Sequence, residues 1–165
     1  MCAGDWFHYG NAYSKQTIAP STQVQGVSFK CSSSCWNQCQ GGLTSSSVAD
    51  VGSWNRVGAR GIRGHIDYRL MCYGRAGGDV YVTGLSGPTA TKWTPNDVFE
   101  VRVTDNTVSY LKNGLVFHTI AQVPGGGLPK GHCPTCATPT FPMHADFILA
   151  SVGDGFTDVN MLSCK

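Results

Sequence analysis

Eight cysteines are the residues with the clearest capacity for chemistry in this 165-residue chain. Such a density is typical of proteins from oxidising compartments, where cysteines pair as disulfides. Zinc is the alternative, because Cys133 and Cys136 have the C-x-x-C spacing of half a zinc site, and Cys31 and Cys35 can supply two more thiolates. The run from Cys31 through Cys35 to Cys39 has no matched second knuckle, which favours disulfides. The disulfide candidates are Cys2, Cys31, Cys35, Cys39, Cys72, Cys133, Cys136 and Cys164.

Catalytic groups are harder to find. Glycoside cleavage needs two carboxyl groups roughly 5 to 9 Å apart, whereas the chain has a single glutamate, Glu100, and no pair of aspartates that alternates along a strand. No nucleophile-elbow sequence accompanies any of the histidines, which are His8, His65, His118, His132 and His144. The sequence therefore predicts no catalytic residues and no enzymatic activity.

Metal binding by oxygen ligands has one weak indication. Asp154 and Asp158 lie near Gly153 and Gly155, as calcium ligands in a loop would. Turn capping by aspartate is the simpler interpretation. We expect no cofactor, with calcium at this loop and zinc at the cysteines as the alternatives.

Aromatic residues in predicted loops are candidates for stacking on sugar rings, with neighbouring amides to bind hydroxyl groups. The candidates for a carbohydrate site are Trp36, Trp54, Asn55, Trp93 and Asn96. The alternative for each tryptophan is a structural role, closing the end of a β-sandwich, since large aromatic side chains are mostly buried.

Charge and hydropathy limit the partners. Only 13% of the residues are charged and the net charge is +2, which favours neither nucleic acid nor an acidic membrane surface. Arginines at 56, 60, 63, 69 and 75 form a local basic cluster, for which a solvated face offset by Asp67 and Asp79 is the simplest explanation. There is no membrane-spanning apolar run, and no signal peptide is visible after Met1. We expect an extracellular or cell-surface protein from the cysteine content alone.

The elements that position these residues are β-strands. Phe99, Val101 and Val103 alternate with polar residues, and possible two-residue turns follow at 105–106 and 113–114. With both turns, Val103 lies opposite Val108, Val101 opposite Tyr110, and Tyr110 opposite Phe117. The predicted three-stranded meander then collects Phe99, Val101, Val103, Val108, Tyr110, Leu115 and Phe117 on one face.

Further strands are predicted from alternation and turn residues at 24–30, 62–72, 79–85, 145–152 and around 159–161, with a possible strand at 6–13. Two segments rich in Ser, Gly, Pro and Cys, 31–47 and 124–139, are predicted to be loops held by their cysteines.

The segment from Asp97 to Phe117, with its Val-Ser-Tyr-Leu-Lys-Asn-Gly-Leu-Val-Phe hairpin, resembles the closing strands of concanavalin A-like lectin and laminin-G-like jelly rolls. Weaker similarities follow the same order at 42–44, 54–55, 80–86, 141–142 and 145–147, so the resemblance covers roughly residues 40–162. It implies two curved antiparallel sheets used for binding carbohydrate or protein and, in some branches, for cleaving glycans. The glucanases' cluster of two glutamates and an aspartate is absent, and the two cysteine-bearing segments depart from the family's pattern.

The sequence therefore predicts one all-β domain over 1–165, an antiparallel β-sandwich (jelly roll) with two cysteine-bearing loops. We expect a non-catalytic, lectin-like module that binds carbohydrate or mediates adhesion. The alternative is a structural subunit of an extracellular assembly or filament, whose partners are copies of itself or other extracellular proteins.

Overall fold

The computed structural model of the protein describes residues 11–19, 21, 23–33, 38–44, 66–104, 107–121, 142–149 and 155–162. Within these ranges the secondary structure consists of β-strands. They are β1 (Asn11–Ile18), β2 (Gln25–Cys31), β3 (Gln38–Thr44), β4 (Tyr68–Tyr73), β5 (Asp79–Val82), β6 (Phe99–Val103), β7 (Thr107–Lys112), β8 (Leu115–Ala121), β9 (Met143–Leu149) and β10 (Phe156–Met161).

The strands form two five-stranded antiparallel sheets. The first sheet has the order β1-β9-β3-β4-β5, and the second has the order β10-β2-β6-β7-β8. The predicted all-β sandwich is confirmed. In the described part of the chain, no helix is long and apolar enough to cross a membrane.

The core lies between the sheets and is built from alternate residues of each strand. An aromatic cluster joins the two layers: the Phe29 ring of the second sheet meets Phe147 of the first at 5.2 Å and 90°. Phe156 packs edge-on against both, at 5.4 Å from Phe29 and 4.8 Å from Phe147. Edge-to-face pairs of this kind stabilise a core beyond the area that they bury.

Gly41 on β3 makes room for that cluster. A Cβ at this position would lie 2.8 Å from the Phe147 ring and 2.9 Å from the Phe29 ring. The glycine lets two aromatic side chains cover the strand, so the core face of β3 is formed there by backbone.

The predicted meander is confirmed through its first turn. Val103 opposes Val108 and Val101 opposes Tyr110. Residues 105 and 106 lie outside the described ranges, and the N–H of Thr104 donates to the carbonyl oxygen of Thr107 at 2.9 Å across them.

The second turn also forms where Asn-Gly predicts it. Asn113 and Gly114 have φ of 52° and 80°, the left-handed pair that a type I′ turn requires. The predicted pairing of Tyr110 with Phe117 is wrong, because the register shifts between Tyr110 and Leu111 and Tyr110 opposes His118. Leu115 opposes Lys112, as the 113–114 turn requires, but it lies at the turn end of the hairpin and is 77% exposed, so its predicted place on the core face is wrong. Phe117 is half-buried against the core.

Asp97 anchors this hairpin to the preceding turn. Its carboxylate accepts hydrogen bonds from Asn113 Nδ2 at 2.8 Å and from the Thr94 N–H at 2.6 Å, and it pairs with Lys112 Nζ at 3.0 Å. Burial alone raises the pKa of this carboxyl group, but the hydrogen bonds from Lys112, Asn113 and Thr94 outweigh it, so the pKa is lowered. The Asp97 carboxylate is therefore part of the fold's hydrogen bonding.

The predicted loop over 31–47 is wrong in its second half. Residues 38–44 form β3, which pairs with both β4 and β9 in the first sheet. The Gly41-Gly42 pair has little strand propensity, but tertiary context overrides propensity when a strand has partners on both sides. The predicted loop over 124–139 lies outside the described residues.

Candidate functional site

The outer face of the first sheet carries an unusual row of polar residues. On β9, Ala145 and Phe147 point into the core, so Asp146 between them points outward. Asp146 opposes Tyr13 of β1 on one side and Gly42 of β3 on the other, and Gly42 opposes Arg69 of β4. We call Tyr13, Asp146, Gly42 and Arg69 the polar row.

Asp146 is the most unusual member of the polar row. Asp146 is 1% exposed, and its Oδ1 atom has no hydrogen-bond partner. Desolvation by burial raises the pKa of the carboxyl group from its ordinary 3.8 to about 6, partly offset by a hydrogen bond from the Phe147 backbone. A buried polar atom without a partner is uncommon in folded proteins and is more frequent at functional sites.

Gly42 carries no side chain, and neighbouring atoms already fill the space that one would need. A Cβ there would lie 2.0 Å from the carbonyl oxygen of Tyr68 and 2.8 Å from the Ile66 side chain. No side chain fits, so Asp146 and Arg69 lie on either side of a position of β3 that carries none. Two strand spacings separate their Cα atoms, roughly 10 Å.

Hydrogen bonds hold Arg69 against β3 and β5. Its Nη1 donates to Gln40 Oε1 at 3.3 Å, and Gln40 Nε2 donates to Gln38 Oε1 at 2.9 Å. The Arg69 N–H also donates to Thr83 Oγ1 at 2.9 Å. Gln40 is 1% exposed, so a buried amide positions the arginine.

A bulge in β1 supports the other side of the row. The pairing of β1 with β9 shifts between Tyr13 and Thr17, and Ser14 is turned inward at that point. Its Oγ accepts from the Ala145 N–H at 3.0 Å and donates to the Gln16 carbonyl oxygen at 2.7 Å. His144 Nδ1 lies 3.1 Å from the Ser14 carbonyl oxygen. These bonds fix the backbone on either side of Asp146.

Aromatic side chains lie on the same outer face, toward the β4–β5 hairpin. Tyr73 and Tyr81 form an edge-on pair with ring centroids 6.0 Å apart, and Tyr73 is 43% exposed. Met71 lies between Arg69 and Tyr73 on the outward positions of β4. We call Gln40, Arg69, Tyr73, Tyr81 and Asp146 the outer-face site.

The outer-face site combines the groups that bind sugars. A carboxylate accepts hydrogen bonds from hydroxyl groups, a guanidinium group and an amide donate to ring and hydroxyl oxygens, and a tyrosine ring packs on the apolar face of a sugar. Within the described residues there is no group of three or more His, Cys, Asp or Glu side chains that could hold a metal ion.

Two of the candidate residues taken from the sequence lie in the described ranges, and neither is part of the outer-face site. Trp93 is fully buried in the core, and its Nε1 donates to the Tyr73 carbonyl oxygen at 3.3 Å, so it has the structural role that was the alternative. Asn96 is exposed, in the turn between Thr94 and Asp97. Trp36, Trp54 and Asn55 lie outside the described residues.

Three of the eight cysteines lie in the described ranges. Cys31, Cys39 and Cys72 are fully buried. Cys39 is disulfide-bonded, whereas Cys31 and Cys72 are free thiols. The other cysteines of the disulfide and zinc hypotheses, Cys2, Cys35, Cys133, Cys136 and Cys164, lie outside the described residues. For the calcium hypothesis, Asp158 lies on β10 and pairs with Lys30 at 2.7 Å, and Asp154 is outside.

Comparisons with known proteins provide little further information. No protein-family model and no curated protein sequence matches the chain. A solved structure described as a sialidase is similar over 90% of this chain and 14% of its own length, with 13% sequence identity and a TM-score of 0.39. The chain thus spans about one seventh of that protein.

The sequence contains a signal for the outer-face site that alternation and turn residues alone do not capture. The strand predicted at 145–152 includes Asp146, which interrupts its apolar run. An aspartate in the middle of a central strand must point to one face, and with Ala145 and Phe147 inward that face is the outer one. The adjacent Gly41-Gly42 pair marks the place where a second strand carries no side chains.

Proposed function

We propose that this chain is a non-catalytic carbohydrate-binding module whose ligand binds at the outer-face site. The observation that carries the proposal is the Asp146 carboxyl group, buried with an unpartnered oxygen, in register with Arg69 across the side-chain-free Gly42. Because the Oδ1 atom is buried, a sugar hydroxyl group would supply the missing hydrogen bond after the side chains that cover the atom move aside. Tyr73 and Tyr81 would supply an apolar contact farther along the same face, toward the β4–β5 hairpin.

The module is proposed to act outside the cell, as the cysteine content favours. Glycan-array screening of the purified full chain identifies the ligand, and titration calorimetry then measures its affinity. Surface labelling of intact cells with an antibody to the chain tests the location. Labelling only after the cells are permeabilised contradicts an extracellular role.

Two matched arginine variants locate the ligand. Arg69→Gln removes a charge from the outer-face site, whereas Arg102→Gln removes one from β6, in the other sheet, where Arg102 pairs with Glu100. Loss of a hydrogen bond to a charged group costs about 1.5–3 kcal/mol, so we expect Arg69→Gln to weaken binding roughly 10- to 100-fold. Arg102→Gln is expected to bind as the wild type does. Equal losses of glycan affinity in the two variants contradict binding at the outer-face site.

The absence of catalysis is tested on the same glycan. Prolonged incubation is expected to release no reducing ends, because the described residues place no second carboxyl group in the polar row. Release of reducing ends that is abolished by Asp146→Asn indicates an enzyme instead. Binding without release supports a module.

An assembly subunit is the second candidate function, and one observation favours it. Leu115 and Val116 are 77% and 57% exposed at the turn end of β8, which is an edge strand of the second sheet. Exposed apolar residues on a sheet edge are suited to pairing with another chain. Large particles in light scattering, dispersed by Leu115→Ser with Val116→Ser, together with no bound glycan, favour this function over the first.

A further inference from the structure

Two free thiols approach each other across the core. Cys31 is the last residue of β2, in the second sheet, and Cys72 lies on β4, in the first sheet. Both are fully buried in the core between the sheets. Neither contributes to the outer-face site.

The contacts around them place both cysteines at one end of the sandwich. The Ser32 N–H, next to Cys31, donates to the Gly155 carbonyl oxygen at 2.9 Å. The sulfur atom of Cys39 lies 3.6 Å from that same oxygen, and Cys39 directly opposes Cys72. The thiols of Cys72 and Cys31 are themselves in hydrogen-bond contact.

We propose that Cys31 and Cys72 form a disulfide that joins the two sheets. Cys39 opposes Cys72 in the same sheet, but its sulfur is already disulfide-bonded. Among the described cysteines, Cys31 is therefore the free thiol within reach of Cys72. The sulfur atoms need to move only from hydrogen-bond contact to a bonded distance of about 2.05 Å.

The oxidation transfers two electrons. One thiolate attacks an external small-molecule disulfide such as oxidised glutathione and releases one glutathione thiolate. The second cysteine thiolate then displaces the other glutathione, which gives the Cys31–Cys72 bond, two reduced glutathione molecules and no net change in protons. Burial raises the pKa of Cys72, and the contact with Cys31 adds to this effect, so the thiolate is scarce in the folded protein. The bond is therefore formed during folding, before the sheets close.

Mass spectrometry of the wild-type chain is the first test. The reduced chain is refolded in a glutathione redox buffer, its free thiols are alkylated under denaturing conditions, and it is digested without reduction. We expect a cross-linked pair that contains Cys72 and Cys31, two hydrogens lighter than the two thiol peptides. Alkylation of both Cys31 and Cys72 while Cys39 remains disulfide-bonded overturns the proposal, as does a link from either residue to another cysteine.

Matched variants separate Cys31 from its neighbour in the chain. Cys31→Ala is expected to leave one alkylatable thiol at Cys72, whereas Cys35→Ala is expected to leave Cys72 protected. The opposite pattern overturns the proposal. The wild-type digest does not depend on whether either variant folds.

Thermal unfolding gives a second readout on the wild-type chain. The bond closes a loop of about 40 residues, and disulfides of this kind raise Tm by roughly 5–15 °C in a chain of this size. The refolded wild type is expected to unfold at a higher temperature than the double variant Cys31→Ser with Cys72→Ser refolded in the same buffer, in which Cys39 can still form its disulfide. Equal Tm values in two samples that both keep the Cys39 disulfide argue against a disulfide between the sheets.

Discussion

Asp146→Asn tests directly whether the carboxyl group on the outer face is desolvated by burial. Burial raises its pKa from 3.8 to about 6. An acid whose pKa is raised on folding stabilises the folded state fully below its unfolded value, and this contribution is lost as the pH rises through the folded value. A difference of about 2 pKa units corresponds to roughly 3 kcal/mol between the two limits.

Urea unfolding at a series of pH values measures this contribution. Between about pH 4.5 and pH 8, we expect the free energy of unfolding of the wild type to fall by about 2 kcal/mol relative to that of Asp146→Asn. This corresponds to a relative shift of the urea midpoint of about 1 M. Any constant effect of the new amide group cancels, because only the pH-dependent part of the difference is compared.

Asp79→Asn is the matched control, since Asp79 is a half-buried carboxylate on the outward side of β5, paired with Lys92. This variant is expected to keep the wild-type decrease between acid and neutral pH. A difference between wild type and Asp146→Asn that stays constant across the series refutes the assignment of Asp146 as a desolvated carboxyl group. It also removes the observation that carries the carbohydrate site.

Three further predictions concern the fold. Gly42→Ala is expected to lower the free energy of unfolding by at least about 3 kcal/mol in urea titrations, because its Cβ would lie 2.0 Å from the Tyr68 carbonyl oxygen. Asp97→Asn is expected to lower the free energy of unfolding by about 2–4 kcal/mol at neutral pH in the same urea titrations. The stabilisation by this carboxylate is present above pH 3.8 and is lost as the pH falls through the lowered pKa of the folded state. A variant whose stability falls with acid as steeply as that of the wild type argues against this role. Leu115→Ser is expected to change Tm by less than about 2 °C, since its side chain is 77% exposed, and a larger loss indicates a contact that the monomer does not show.

The sequence was most informative where alternation and turn chemistry agreed. Val101, Val103, Val108 and Tyr110 take the predicted register because each two-residue turn fixes which residues oppose one another. The bulge after Tyr110 was not predictable from alternation, since one extra residue in a strand shifts its inward positions without changing composition. His118 rather than Phe117 opposes Tyr110 for that reason.

Central strand β3 shows a different limit. Its sequence, QCQGGLT, includes the Gly41-Gly42 pair of low strand propensity, and it forms because β4 and β9 pair with it on both sides. The polar row depends on the same pairing, because residues from β1, β9, β3 and β4 meet only when the order of the strands is known. Neither composition nor spacing along the chain contains that order.

The two consecutive glycines of β3 also determine how this protein can be altered. Gly41 admits the Phe29 and Phe147 rings on one side of the sheet, and Gly42 admits the Tyr68 carbonyl group in its plane. A library designed to alter the outer face should therefore keep both codons fixed and vary outward positions on the neighbouring strands, such as Met71 and Tyr73. Substitutions at the two glycines would clash with neighbouring rings or backbone. Library members that carry them would therefore be lost because they fold poorly, whatever they bind.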